Sequence, residues 1–159
     1  MTAATIMPAD IVAAARSWLG TPYHHQAAVK GVGCDCLGLV RGVYEELYGR
    51  SAETPPPYSR DWAEASSTET MIEAARRHLT PIGLDEAGQG DIVIFRLRPG
   101  AMAKHAAILT GEGRMIHAME GAPACEVHIS CWWRRRMATA FRFPERTFNV
   151  RDQQNQADV

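Results

Sequence analysis

The chain has 159 residues, 46% hydrophobic and 22% charged, with a formal net charge of -1. That length fits one domain around a single core, and the near-neutral balance leaves no overall field to draw nucleic acid or an anionic membrane. No stretch is apolar for long enough to span a bilayer, so membrane insertion is not expected.

Residues 1–20, MTAATIMPADIVAAARSWLG, lack a basic leader, and Asp10 and Arg16 interrupt any apolar segment that a signal peptide would need. Synthesis in the cytoplasm without a signal peptide is the expectation. Pro8 suits the first turn of a helix, and Ile11, Val12, Ala15, Trp18 and Leu19 repeat at helical spacing until Gly20. Residues 20–35, GTPYHHQAAVKGVGCD, read as a loop. A second helix is expected from an Asp35 cap, with Val40, Val43, Tyr44 and Leu47 inward and Gly49 as its stop. SAETPPPYSR reads as turn and polyproline, not a domain linker. TETMIEAARRHL predicts a third helix capped by Thr68, with Met71, Ile72, Ala75 and Leu79 facing the core.

Beyond Gly88 and Gly90 the texture changes to short β-rich runs: DIVIFRL, KHAAILT, RMIHAM, CEVHIS and MATAFRF. Helices first and an antiparallel sheet second define an α+β domain over residues 1–143. Residues 144–159, ending RDQQNQADV, are polar and aperiodic, and a poorly ordered tail is expected there. The basic run Arg134–Arg136 reads as a solvated face, with contact to a polyanion as its alternative.

Cys34, Cys36, Cys125 and Cys131 are the cysteines. Their C-x-C and C-x5-C spacings fit poorly with zinc knuckles, so neither a metal nor another cofactor is expected. Three of the four read as small core residues held as free thiols. Cys36 is different, because it follows the Asp35 cap and opens a helix. Unpaired N–H groups and the positive helix end there favour a thiolate nucleophile, although a buried structural cysteine has the same local signature.

The histidines sharpen the choice. His105 starts one strand and His117 lies in the next, with Gly111-Glu112-Gly113 between them. A hairpin centred on Glu112 sets His117 opposite Ala107, diagonal to His105, with Cβ atoms about 7 Å apart on one sheet face. One imidazole can then serve as base while the other orients it. A chance pair of surface histidines remains the alternative, and His128 is a fallback third residue. His24 and His25 could line a substrate groove, and His78 complements its helix end.

These pieces resemble the NlpC family of papain-like cell-wall peptidases. The resemblance rests on Gly20-Thr21-Pro22-Tyr23, then Gly33-Cys34-Asp35-Cys36-Leu37-Gly38-Leu39-Val40, then Gly90-Asp91-Ile92-Val93, with His105 and His117 following in order. It implies a papain-like fold with N-terminal helices packed on a central antiparallel sheet of about five to six strands. It implies Cys36 as nucleophile, His105 as base and His117 as its orienting partner. Tyr23 and Asp35 would then contact substrate, Tyr23 near the oxyanion and Asp35 at a free amino group, and the loop position of His24 beside Tyr23 makes it a further candidate contact. The implied reaction is cleavage of peptidoglycan stem peptides, at the D-γ-glutamyl-diamino acid bond. Leu37 departs from the family's usual serine, and His24-His25-Gln26 replaces a common tryptophan-glycine pair.

The wording of DCLGLVRGVY and WWRRR is most similar to the phage and gene-transfer-agent branch of that family. That resemblance implies a domain carried on a tail, docked to a tail-tip or hub protein and acting on the periplasmic wall. Trp132-Trp133-Arg134 is a candidate docking stretch, with burial of one tryptophan against the sheet as its alternative. A silent tail-assembly adaptor, a muropeptide-recycling hydrolase and an acyltransferase of the same fold are the competing readings.

Overall fold

The structure, a computed structural model, describes residues 3–53, 69–145 and 147–149. The expected Thr68 cap, most of the SAETPPPYSR stretch and the end of the tail lie outside the described residues.

Helix α1 (Pro8–Arg16) begins with proline in its first turn, and the Met7 N–H donates to Asp10 Oδ2 at 2.7 Å. It ends earlier than the apolar spacing predicts. Gly20, at a φ of 84°, turns the chain, and its N–H bonds the carbonyl of Ala124. Trp18 still enters the core, at 2% exposure, whereas Leu19 is exposed. Helix α2 (Cys36–Tyr48) has the expected bounds: Asp35 caps it through Gly38 N–H, and Gly49 closes it in the left-handed region. Trp18 explains Gly42, where an added Cβ would fall 2.0 Å from the indole. Helix α3 (Thr70–His78) buries Met71 and Ile72, with Ala75 and Leu79 half-buried behind them.

Short strands β1 (Ala3–Thr5) and β10 (Thr147–Asn149) pair antiparallel, so part of the segment read as an unstructured tail carries a strand. Strands β2 (Ala28–Val29) and β3 (Gly33–Cys34) form a small hairpin inside the expected loop. The main sheet is antiparallel, with six strands in the order β4 (Thr80–Ile82), β9 (Met137–Arg142), β5 (Ile92–Phe95), β6 (His105–Gly111), β7 (Arg114–His117) and β8 (Cys125–His128). The sheet and its helices make the α+β class expected from the sequence.

Alternation along the central strands builds two cores. Ile92, Ile94, Ala106, Ile108 and Ile116 face the helices, where they meet Ile11, Ala15, Leu39 and Val43. Val93, Phe95, Ala107, Leu109 and Met115 face the other way, under Ile129 and Trp133. Each fully buried aliphatic or aromatic side chain there contributes about 1.5–3 kcal/mol. Asp91 locks the sheet: its carboxylate takes two 3.0 Å bonds from Arg142 on β9 and one from Gly88 N–H. The Gly90-Asp91 motif is therefore a clamp between strands.

Candidate active site

The start of α2 is fastened to the loop before it by one buried carboxylate. Asp35 Oδ1 accepts the Gly38 N–H at 2.7 Å, and Oδ2 accepts the Gln26 N–H at 2.8 Å. Gly38 has no room for a side chain, since an added Cβ would lie 1.8 Å from the carbonyl oxygen of Ala27. The loop thus rests directly on the first helical turn and fixes where Cys36 points.

Cys36 Sγ reaches β6 on both sides of His105. It lies 3.8 Å from the Lys104 carbonyl oxygen, and the Ala106 N–H is directed at it. His105 Nε2 and His117 Nδ1 are 2.9 Å apart and both rings are buried. The register reproduces the expected hairpin, because Ile108 opposite Ile116 sets Ala107 opposite His117, although a bulge intervenes between Leu109 and Gly111. With Nε2 turned to His117, Nδ1 is the His105 nitrogen left for a thiol proton.

The electrostatics bear on the thiolate expected at Cys36. Burial and the neighbouring Asp35 carboxylate push the Cys36 thiol up to about 12, against the opposing pull of the Ala106, Leu37 and Cys36 N–H groups. Burial, aided by His117, pushes His105 down to about 3, and burial lowers His117 as well. A lone buried charge is what these surroundings oppose. Moving the thiol proton to His105 creates both charges together, each the counter-ion of the other.

Sequence reasoning missed Trp133. The one-turn helix α4 (Cys131–Arg134), capped by Ser130, sets its indole against both rings. It stacks on His105, with centroids 5.2 Å apart and planes at 27°, and meets His117 edge-on at 5.3 Å. Burial of one tryptophan, the alternative reading of the Trp132-Trp133 pair, applies to Trp133. Trp132 stays 44% exposed beneath the Arg136 guanidinium. Cys131, read as a core residue, is exposed because it opens this surface helix.

The remaining candidates divide. Tyr23, His24 and His25 line an open groove of about 770 Å³ together with Glu120–Pro123. Tyr23 is tied down by a bridge to Cys34. Asp35 is 4% exposed, caps α2, bonds backbone amides through both oxygens and does not line this groove. Glu120 supplies the groove's carboxylate, and nothing in its sequence surroundings marks it. His128 bonds Arg114 at the opposite end of β8 from the residue that pairs with His117, which removes it from the site. His78 bonds Glu53 at 2.6 Å. All four cysteines are unbridged.

A cysteine at a helix N-terminus, beside a strand histidine whose ring is held by a second polar group, is the architecture of papain-like thiol hydrolases. The chain belongs to the NlpC/P60 family, whose model matches residues 20–142. Over 142 residues it is 28% identical to the gamma-DL-glutamyl hydrolase of Bacillus subtilis (strain 168). That match covers 86% of the chain but 30% of the relative, so the chain spans less than a third of that protein's length. The NlpC/p60 domain of the peptidoglycan hydrolase SagA is 26% identical, with a TM-score of 0.60 covering 86% of this chain and 98% of that domain. RipD of Mycobacterium tuberculosis, a non-catalytic NlpC/p60 domain protein adapted to peptidoglycan binding, shares the fold at 16% identity and a TM-score of 0.57, covering 86% of this chain and 96% of RipD.

Proposed function

We propose that the chain is a peptidoglycan-degrading cysteine endopeptidase that cuts the D-γ-glutamyl-diamino acid bond of the stem peptide. The observation that carries this reading is Cys36 Sγ set between the backbone groups flanking His105, whose ring is held by His117. The γ-glutamyl relative and the peptidoglycan hydrolase SagA support the choice of substrate.

The chemistry follows from that placement. Cys36 Sγ attacks the scissile carbonyl carbon as its proton passes to His105 Nδ1. The N–H groups at the start of α2 stabilise the oxyanion. The C–N bond then breaks, His105 returns the proton to the leaving amine, and a thioester remains on Sγ. Water attacks that thioester, giving its proton to His105, and the thiol is regenerated. His117 keeps the base in the correct tautomer, and Trp133 offers its π-face to the imidazolium that forms between steps. Tyr23 and His24, in the neighbouring groove, bind the stem peptide, with Glu120 as the carboxylate for its free amino group.

Delivery on a phage or gene-transfer-agent tail, with action on the periplasmic wall, is part of the same proposal. It rests on the likeness of Asp35–Tyr44 and Trp132–Arg136 to that branch. Finding the chain in purified particles would support it, and finding the chain only in cytosol would replace it with muropeptide recycling. The enzymatic reading is tested by incubating purified peptidoglycan with the protein and with Cys36→Ala, then identifying released fragments by mass spectrometry. Stem peptides cut after γ-glutamate by the wild type alone are expected. Wall binding without release by either protein would instead favour a binding role of the RipD kind.

A further inference from the structure

Two basic segments distant in sequence meet at one end of the main sheet. Arg96 and Arg98 follow β5, and Arg135 and Arg136 precede β9. The Arg96 N–H bonds the Arg136 carbonyl at 2.8 Å, and Arg136 Nε bonds the Leu97 carbonyl at 3.2 Å. The four arginines line one concavity of about 440 Å³, floored by Met137 and Ala138, and no acidic side chain is among the described residues that line it. Glu69 bonds Arg96 from outside that lining.

Like charges so gathered repel, and in a chain of net charge -1 they are not a by-product of general basicity. Guanidinium forks match the planar, two-oxygen edge of carboxylates and phosphates. Two of them are already oriented: Arg136 is held by the Leu97 and Trp132 carbonyls and Arg96 by the Ala101 carbonyl. Arg98 and Arg135 are exposed at the mouth.

The position of the concavity gives it meaning. Phe95 pairs with His105 on one side and with Met137 on the other. The arginine cluster therefore lies one to two strand spacings, roughly 5–10 Å across the sheet, from the candidate base. The Tyr23–Glu120 groove opens at the same sheet end on the β7–β8 side, so His105 stands between two concavities.

We propose that the arginine concavity is a second substrate subsite, binding an oxyanion on the wall polymer roughly 5–10 Å beyond the scissile bond. This rests on the peptidoglycan reading above. The oxyanion is either a stem-peptide carboxylate or a phosphodiester of a wall-attached polymer.

The test is sedimentation of the full chain carrying Cys36→Ala, with and without Arg98→Gln and Arg135→Gln, with purified sacculi. It requires no turnover, so a chain that binds but never cuts still answers it. Circular dichroism confirms that each variant is folded. Four sacculus preparations are used: untreated, stripped of phosphodiester polymers with hydrofluoric acid, carboxamidated on stem carboxylates, and treated in both ways. We expect about tenfold weaker binding of the double variant to untreated sacculi. The same loss should appear for the parent protein on whichever stripped preparation lacks the recognised oxyanion. In active protein, the double variant should raise KM on sacculi about tenfold and leave kcat unchanged. Equal binding of parent and double variant to untreated sacculi would overturn the proposal. So would a double-variant loss that persists undiminished on sacculi lacking both oxyanions.

Discussion

Burial disfavours the charged forms of Cys36 and His105 alike, and the proposed hydrolysis depends on transferring one proton between them. Three expectations follow at this scale. Cys36→Ala should abolish hydrolysis while leaving the fold intact, as read by circular dichroism and product release. His105→Ala should cost more than His117→Ala, by roughly a hundredfold, and the double variant should cost little more than His105→Ala alone, because the groups act as a unit. Full activity in His117→Ala would remove it from the orienting role. Thiol labelling needs a correction to the simple picture of one reactive cysteine: exposed Cys131 should react first with iodoacetamide at neutral pH, and buried Cys34 last. In a Cys131→Ser background, Cys36 labelling should speed up as pH rises toward 12, where a low-pKa thiolate would instead plateau near neutrality. The histidine pair was legible in the sequence because hairpin arithmetic needs only the turn position. The upward push on the Cys36 thiol was not, because the helix N-terminus is a local feature whereas burial in the site and repulsion from the Asp35 carboxylate come from the assembled structure.

Helix α4 is a single turn, yet it sets the face against which both imidazoles rest. Trp133→Ala should lower kcat about tenfold by exposing the His105–His117 bond to water, with KM little changed. Trp133→Phe should restore most of it, and steady-state kinetics on a soluble γ-glutamyl stem peptide would read the difference. An unchanged kcat for Trp133→Ala would make the indole packing only. Asp35→Ala should cost about 1–2 kcal/mol from the lost cap and release the loop at Gln26, as measured by denaturant unfolding. Helix α2 could be read from its cap and its glycine stop. By contrast, β4 was missed because Pro81 argues against a strand, and it is tolerated here because β4 is the outer strand of the sheet. Strands β1, β2, β3 and β10 have two or three residues each, too few for an alternating pattern. Trp133 was hidden for a similar reason, since a four-residue helix has no periodicity to show which indole turns inward.

Over the whole molecule, the shifted histidines and glutamates make the fold acid-sensitive. The folded-state values of His105 and His117 lie below the unfolded value, so the unfolded chain binds more protons as pH falls below about 6.5. Stability present above that pH is then lost progressively toward about 3, where folded His105 itself protonates. Glu126, bonded by Arg16 and Arg114, and Glu53, bonded by Arg77 and His78, are held down to about 2, and their contributions are lost as pH falls below about 4.5. Thermal unfolding should therefore shift steadily downward from pH 7 to pH 3, and a His105→Gln, His117→Gln variant should flatten the part between 6.5 and 4.5. An identical pH profile for variant and wild type would contradict the assignment. The same depressed values keep His105 available as a base well below the usual histidine range. The α+β plan was readable in outline from helices followed by strands, while the second core behind the sheet and the convergence of Arg96 with Arg136 and of Tyr23 with Glu120 depend on strand order. The central claim is that Cys36 carries the acyl group between attack and hydrolysis. Rapid acid quench of the wild-type protein with a γ-glutamyl stem peptide, followed by intact-mass analysis and peptide mapping, tests it most directly. A transient adduct equal to the acyl half of the substrate, confined to the peptide containing Cys36 and absent from Cys36→Ala, is the predicted result; cleavage that proceeds in Cys36→Ala with no adduct in either protein would contradict it.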